Sequence, residues 1–382
     1  MKSGVDMKEI TIPSKKLGFG MMRLPLKEDG VTIDIERTCS MADSFISQGF
    51  TYFDTAYGYH GGESERALKA AVVSRHPRES FTVATKLPAW MIKQKEDVDR
   101  IFNEQLEKTG AGYFDYYLLH AVSADKLDVY DGFGCWDYCL EKKKEGKIKH
   151  FGFSFHDSAK VLDDILKAHP EAEFVQLQIN YLDWENDAVQ ARLCYEVAER
   201  HGVPVVVMEP VKGGTLAKLP EPVEAILKSK LDASIASWAI RFAASLDNVF
   251  MVLSGMSDES QMEDNISTMK DFKKLDENEM DAIGCALDAY KSYNAVPCTA
   301  CRYCQDGCPM SIRIPDVIAA LNQAKVYGLG QKARGMYEKA LEGAGDPAEC
   351  ISCGQCSSVC PQHLDIPEIM REAAEKFKKK EA

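Results

Sequence analysis

The chain has 382 residues, 45% of them apolar, and a formal net charge of −13. That length holds more than one domain, or one large barrel with an appendage; the acidic balance argues against nucleic acid as a partner. No apolar run approaches the roughly 18 residues of a membrane helix, and Met1 to Lys16 is too polar for a signal peptide, so no membrane partner is expected and the cytoplasm is the expected location.

Up to about residue 275, short apolar runs alternate with longer amphipathic ones. Strands are predicted at Leu17–Met22, Phe50–Asp54, Phe81–Lys86, Tyr116–His120, His150–Ser154, Phe174–Ile179, Pro204–Met208 and Val249–Leu253. Segments of helical period lie between them. Ile35–Gln48 carries Met41, Phe45 and Ile46 on one face, and Ala188–His201 carries Val189, Leu193 and Val197. Eight strand–helix units predict a (β/α)8 TIM barrel of the α/β class, with strands apolar throughout because both faces are covered. A doubly wound open sheet is the rival.

The strand ends favour the barrel, whose active sites lie at the C-terminal ends of its strands. Asp54 ends the second strand, Lys86 the third, His120 the fourth and Ser154 the fifth, while Gln178 lies late in the sixth. Each alone has an ordinary explanation: a helix cap, a turn lysine, a hydrogen-bonded core histidine. Five on successive strands point to one site.

Around these positions the sequence reads Gly18-Phe-Gly-Met-Met-Arg-Leu-Pro25, Phe53-Asp-Thr-Ala-Tyr-Gly-Tyr59, Gly62-Glu-Ser-Glu65, Ala84-Thr-Lys86, Asp115-Tyr-Tyr-Leu-Leu-His120 and Gln178-Ile-Asn-Tyr181. From Leu17 to about Asp271 it resembles the aldo-keto reductase family. The resemblance implies a catalytic tetrad of Asp54, Tyr59, Lys86 and His120, acting on a small-molecule carbonyl or alcohol. Carbonyl reduction needs a proton for the oxygen as hydride reaches carbon. Tyr59 supplies it if its pKa, about 10 unperturbed, is lowered by a cation. Lys86 is that cation, Asp54 holds it charged, and a neutral His120 orients and polarises the carbonyl.

The cofactor side departs from the family pattern. Ser154 and Gln178 stand where the family holds a nicotinamide carboxamide, but the usual neighbouring asparagine is Phe155. Met208 takes the place of the aromatic that stacks on the nicotinamide, and Lys212-Gly213-Gly214 offers backbone N–H groups to a phosphate. In Ser254 to Asn265 the resemblance assigns the adenine to Asn265, with Ser254 and Gly255 beside it. Four acids and no Lys or Arg fall within that segment. NAD(P)H is therefore implied with NADH favoured over NADPH, and FMN is an alternative occupant. Trp90, just past the third strand, either lines a substrate pocket or is a packed loop aromatic. Cys135 and Cys139 read as core.

Asp276–Tyr290 reads as a helix, and Val296-Pro297 as a hinge into the most specific pattern of the chain. Cys298-x2-Cys301-x2-Cys304-x3-Cys308-Pro309 recurs, 52 residues on, as Cys350-x2-Cys353-x2-Cys356-x3-Cys360-Pro361. This resembles the two-cluster ferredoxin motif, in which three close thiolates hold one 4Fe–4S cluster and the fourth reaches across to the other. Cys298, Cys301, Cys304 and Cys360 are then expected to hold one cluster, and Cys350, Cys353, Cys356 and Cys308 the second. A disulfide framework or zinc ribbons fit the third thiol and the Cys-Pro less well. Helices are predicted at Asp316–Tyr327 and Gln331–Leu341, and Lys376 to Lys380 reads as a solvated helix end. The expected organisation is a barrel over 1–275, a helical linker over 276–294 and a helical dicluster domain over 295–382.

Hydride moves two electrons and each cluster one, so something must split the pair; a flavin does this. The first functional reading is an iron–sulfur oxidoreductase exchanging electrons with an external carrier such as a ferredoxin or a flavoprotein. The alternatives are a flavin-dependent reductase driven by ferredoxin-type electrons, and an electron-transfer or regulatory binding subunit with a non-catalytic barrel.

Overall fold

The computed structural model describes residues 10–378. The first nine residues, part of the stretch read as lacking a signal peptide, and the last four, including Lys379 and Lys380, lie outside the described residues. Each predicted apolar run supplies a strand: β1 (Leu17–Gly20), β2 (Tyr52–Asp54), β3 (Thr82–Pro88), β4 (Phe114–Val122), β5 (Ile148–Phe155), β6 (Phe174–Gln178), β7 (Val205–Met208) and β8 (Val249–Ser254). Every neighbouring pair is parallel, and β8 pairs with β1, so the sheet closes in chain order and the open-sheet alternative falls.

The barrel interior is filled by side chains. Tyr52, Tyr116, Phe174 and Phe250 pack together with Leu118, Val206 and Met251; the Tyr52 and Tyr116 rings lie 4.8 Å apart, and Phe174 meets Tyr116 edge-on at 5.5 Å. Gly152 on β5 is required there, because a Cβ at that position would lie 2.3 Å from the Phe174 carbonyl oxygen.

Most predicted limits shift by one or two residues, and two of the shifts have a local cause. β4 runs past His120 to Val122 across a register irregularity, with Ala121 in the left-handed region at φ 55°. There the Ala121 amide leaves the ladder and donates to Ser154 Oγ at 2.7 Å. The helix expected from Ala188 begins at Ala191, because Asn186 Oδ1 accepts from the amides of Ala188 and Val189 in a turn and Gln190 is left-handed.

The chain divides into two compact units. One comprises the residues through Pro210 with Ser237–Leu275; the other comprises Val211–Ala236 and the chain from Asp276 onward. The second unit is helical, with Glu221–Lys228, Glu277–Lys291, Ile314–Tyr327, Gln331–Leu341 and Ile366–Phe377 as its main helices. Asp276 and Glu279 cap the second of these reciprocally. The core of the unit is Ile312, Ile314, Val317, Leu321, Ile366 and Met370, closed by Phe377 stacked on Tyr337 at 4.2 Å. Among the described residues, no helix is long and apolar enough to cross a membrane.

Candidate functional site

The barrel register sets the strand-end residues at matching heights: Asp54 opposite Gly20 and Ala84, Pro88 opposite His120, Ser154 opposite Gln176, and Gln178 opposite Met208. Lys86 is 1% exposed. Its Nζ donates to Asp54 Oδ1 at 2.7 Å and to the Thr55 carbonyl at 2.8 Å. Burial draws the Lys86 pKa down and the Asp54 pKa up, and the attraction between them opposes both shifts.

Tyr59 opens a tight turn, Tyr59–Gly62, in which His60 is left-handed at φ 52° and accepts from the Leu24 amide at 3.1 Å. This fixes the Tyr59 ring with its centroid 5.2 Å from Lys86 Nζ and 6.0 Å from the His120 ring, which it meets edge-on. Burial, then the Lys86 charge, then His156 hold His120 well below its ordinary pKa of 6.5, so its imidazole is neutral. His120 Nδ1 and Asp54 Oδ2 are buried with no hydrogen-bond partner among the described residues. Asp54, Tyr59, Lys86 and His120 thus form one cluster of side chains, with Trp90 over its edge, half-exposed and 5.0 Å from His120.

A buried network backs the cluster. Thr85 Oγ1 and Gln105 Nε2 both donate to Glu65 Oε1 at 2.7 Å, Gln105 also donates to the Lys86 carbonyl at 3.0 Å, and the Tyr117 hydroxyl donates to Gln105 Oε1 at 2.7 Å. The Tyr130 hydroxyl bridges the carbonyls of Leu87 and His120, tying the ends of β3 and β4. Gln105 and Tyr130 come from helices, where a polar residue on an otherwise ordinary face carries no signal in one sequence. Sequence reasoning passed over both.

On the cofactor side, Ser154 Oγ accepts from Ala121, as above, while Gln178 Nε2 is committed to Asp183 Oδ2 at 2.7 Å. Gln176, two residues earlier on the same face of β6, lies level with Ser154, and its Oε1 is buried without a hydrogen-bond partner among the described residues. The alternation of a strand gives Gln176 and Gln178 the same face, so the sequence could not choose between them. Asn265 Nδ2 donates to Ser254 Oγ at 3.0 Å, and both are buried. Asp258 caps the helix Glu259–Lys270 by accepting from the Gln261 amide. Glu259 accepts twice from Arg37, at 3.1 and 2.5 Å. Arg23 also reaches this region, its side chain within 3.2 Å of where a Cβ on Gly255 would lie. Met208 is half-buried at the end of β7, and Gly213 and Gly214, both at positive φ, belong to the second unit.

In the second unit the eight thiols surround two cavities. Cys298, Cys301, Cys304 and Cys360 line one; Cys308, Cys350, Cys353 and Cys356 line the other. Each draws three thiols from one run and one from the other. No disulfide joins any of the thirteen cysteines, which removes the disulfide framework, and among the described residues no three His, Cys, Asp or Glu side chains converge on a single-ion site. Burial pushes the Cys298 thiol up to about 11 and Cys304 to about 12. Both are therefore neutral thiols at neutral pH, and as thiolates, the form that ligates a metal, they would be stabilised by a positive body within the cavity such as an iron–sulfur core. The backbone is duplicated with the thiols: Ala300, Arg302 and Ser311 are left-handed, and so are Ser352, Gly354 and His363 at the corresponding places of the second run. Cys135 and Cys139 are buried on one helix face, the Cys135 thiol pushed up to about 12 by desolvation, as core cysteines are.

Comparison with known proteins accords with this arrangement. L-galactose dehydrogenase of Arabidopsis thaliana is 25% identical over 305 residues, covering 72% of this chain and 91% of that protein. 4-Dihydromethyl-trisporate dehydrogenase of Mucor mucedo is 34% identical over 110 residues, 27% of this chain and 30% of that one. Among solved structures, the holo form of an aldo-keto reductase from Bacillus halodurans superposes with a TM-score of 0.59 at 24% identity, covering 73% of this chain and 96% of its own. An aldo/keto reductase of Klebsiella pneumoniae in complex with NADP and acetate gives 0.59 at 16% identity, covering 74% and 95%. The profile of the 4Fe-4S dicluster domain matches residues 297–364 and that of the aldo/keto reductase family residues 16–287. The chain is an oxidoreductase that belongs to the aldo/keto reductase family and carries a 4Fe–4S dicluster domain after its barrel in sequence.

Proposed function

We propose that the barrel interconverts a small-molecule carbonyl and its alcohol, with Tyr59 as proton donor, and that the C-terminal unit exchanges the electrons with an external one-electron carrier through two 4Fe–4S clusters. The observation that carries the reading is the buried Lys86, held between Asp54 and the Thr55 carbonyl with the Tyr59 ring over it and a neutral His120 beside that ring. A phenol next to a desolvated ammonium releases its proton more readily than in water. As negative charge builds on the carbonyl oxygen, Tyr59 gives up its proton to that oxygen, Lys86 stabilises the phenolate left behind, and Asp54 keeps Lys86 charged. His120, being neutral, donates a ring N–H to the same oxygen without competing for the proton. The network through Glu65 and Gln105 holds the Lys86 backbone in place. The reverse reaction uses the same groups, with the phenolate as base.

A nicotinamide, when bound, supplies or takes the hydride. Ser154 and Gln176 fit its carboxamide, Gln178 standing behind them on Asp183, and Asn265 with Ser254 and Gly255 fits the adenine end. Arg37 is already paired with Glu259 and so offers a 2′-phosphate little, which favours NADH over NADPH. The Klebsiella protein was solved with NADP, so this preference is a property of the present chain's acidic segment. Met208 in place of a stacking aromatic leaves room for FMN as the alternative. For the clusters, Cys298, Cys301, Cys304 and Cys360 are assigned to one and Cys308, Cys350, Cys353 and Cys356 to the other, and the single-electron chemistry belongs to them. The deciding experiment is anaerobic purification followed by iron and sulfide analysis, with carbonyl turnover measured for wild type and Tyr59→Phe. About eight irons and a turnover that depends on Tyr59 are the expected result. Turnover indifferent to Tyr59 would remove Tyr59 from the chemistry, and failure to turn over any carbonyl would leave the barrel as a binding module.

A further inference from the structure

The two thiol cavities are copies, and matching positions line them 52 residues apart: Pro315 with Pro367, Ile318 with Met370, Leu364 with Ile312. Three matched positions differ in polarity in one direction, and Gln355 lines the second cavity with no counterpart lining the first. Thr299 answers to Ile351, Arg302 to Gly354 and Gln362 to Met310, so the cavity of Cys298, Cys301, Cys304 and Cys360 carries polar or basic groups where the other is apolar or bare.

Gln362 also brings in a charge. Its Oε1 accepts from Lys212 Nζ at 2.8 Å, and Lys212 is 0% exposed. Packing fixes the lysine from the next residue, since a Cβ on Gly213 would lie 2.3 Å from the Thr299 carbonyl oxygen. Lys212 and Gly213 adopt left-handed backbones there, at φ 46° and 61°. Gln362 itself lines the cavity of Cys298, Cys301, Cys304 and Cys360, so the Lys212 ammonium stands one hydrogen bond behind that lining. Met310, at the equivalent place in the other cavity, can hold no ammonium this way.

We propose that Lys212 makes the cluster of Cys298, Cys301, Cys304 and Cys360 the more easily reduced of the two, so that the first electron the protein takes up resides there. This rests on the reading that both cavities carry 4Fe–4S clusters. One-electron reduction adds a unit of negative charge to a body already made anionic by four thiolates, and a nearby cation stabilises the product more than the reactant. The electron comes from an external one-electron donor, which is oxidised by the same amount. Two other effects are weaker. The Arg302 guanidinium is exposed and paired with Asp316 at 2.9 Å, so solvent and its partner screen it. Water around the exposed Cys353 favours reduction of the other cluster, but that is solvation of one ligand against a whole charge held out of water.

The test is a potentiometric titration of the anaerobic full-length protein with dithionite, followed by electron paramagnetic resonance. Iron analysis accompanies each variant, and Cys360→Ser identifies the signal of the cluster it ligates. Wild type should show two one-electron steps, the easier one belonging to the signal that Cys360→Ser removes. Lys212→Met should lower the electron affinity of that cluster at least tenfold, about 59 mV for a one-electron couple, and leave the other unchanged; Lys212→Arg should keep the wild-type value. If Lys212→Met fails to hold eight irons, Lys212→Gln removes the charge and keeps a donor for Gln362. Coincident steps in wild type, or a charge-removing variant that moves both clusters equally or neither, overturns the inference. Fewer than two clusters in wild type would overturn the cluster assignment instead.

Discussion

At the barrel mouth the reactive groups are charges taken out of water: Lys86 and Asp54 are 1% and 3% exposed, and each depends on the other and on strand-end geometry to remain useful. In the cysteine unit the reactive groups sit on loops, and what recurs there is backbone shape, with left-handed residues at three matched places in the two runs. The barrel site is an electrostatic device in which every member alters the others. The cysteine unit is a set of ligand frames in which each thiol has a fixed place, with a buried cation, Lys212, behind one of them. Substitutions should therefore act through rate in the first region and through stoichiometry in the second.

The largest effect is expected at Tyr59. Tyr59→Phe removes the proton donor while leaving the ring against Lys86 and His120, so carbonyl turnover should fall by roughly 10²–10⁴, the range for a lost general acid. Iron content should not change, because the ring and its packing remain. A variant that keeps wild-type turnover removes Tyr59 from the chemistry; one that loses iron breaks the division between the two regions.

Cys360→Ser tests the other side of the contrast. If the thiols act as the cavities group them, about half of the iron and sulfide should be lost, together with the spectroscopic signature of the cluster that Cys298, Cys301 and Cys304 share with it. The signature of its near sequence neighbours, Cys350, Cys353 and Cys356, should survive. Loss of that second signature instead would reverse the assignment.

The two regions also differed in how far the sequence revealed them. All eight barrel strands and three helices of the second unit were legible, because buried parallel strands are continuous apolar runs and Gly328 and Gly330 break the helical stretches, whereas Glu221–Lys228 and the body of Ile366–Phe377 were not read. The thiol spacing was legible, and so were Asp54, Lys86 and His120, since a strand end is a definite place on a barrel; Tyr59, on a turn, came from the family resemblance. What stayed hidden depends on contacts between distant segments. Gln105 supports Lys86 from a helix, Gln176 and Gln178 share a face of β6, and Arg37 reaches Glu259 across 222 residues. Lys212 was read as part of a phosphate loop, and only the fold places it on Gln362.

The Arg37–Glu259 pair makes the nucleotide preference testable from both directions. NADH should bind tighter than NADPH by about tenfold, about 1.4 kcal/mol, because a 2′-phosphate would meet Asp258 and Glu259 with no unpaired basic fork to offset its desolvation. Glu259→Gln weakens the partner of Arg37 and should narrow the gap, measured by parallel anaerobic titration with both nucleotides and FMN. Tighter NADPH binding in the wild type would mean that Arg23 or Arg37 already serves the phosphate.

The smallest expected effect is an absence of change, and it probes whether the barrel site is as electrostatically coupled as its geometry implies. An ordinary histidine, with a pKa of about 6.5, would protonate as pH falls through that value, and kcat/KM would fall with it. His120 is held well below by burial and by Lys86, so this group should leave kcat/KM flat as pH falls through about 6.5. The same shift bears on stability. Below about pH 6.5 the unfolded chain binds a proton at this residue and the folded chain does not, so the contribution is fully present above 6.5 and is lost, at up to about 1.4 kcal/mol per pH unit, as pH falls toward the folded value. His120→Gln should flatten that part of the stability profile while Tyr59 and Lys86 stay in place. A wild-type activity loss with its midpoint near 6.5 that disappears in His120→Gln would show an imidazole that titrates normally, and with it a site far less shielded from water than Lys86 and Asp54 require.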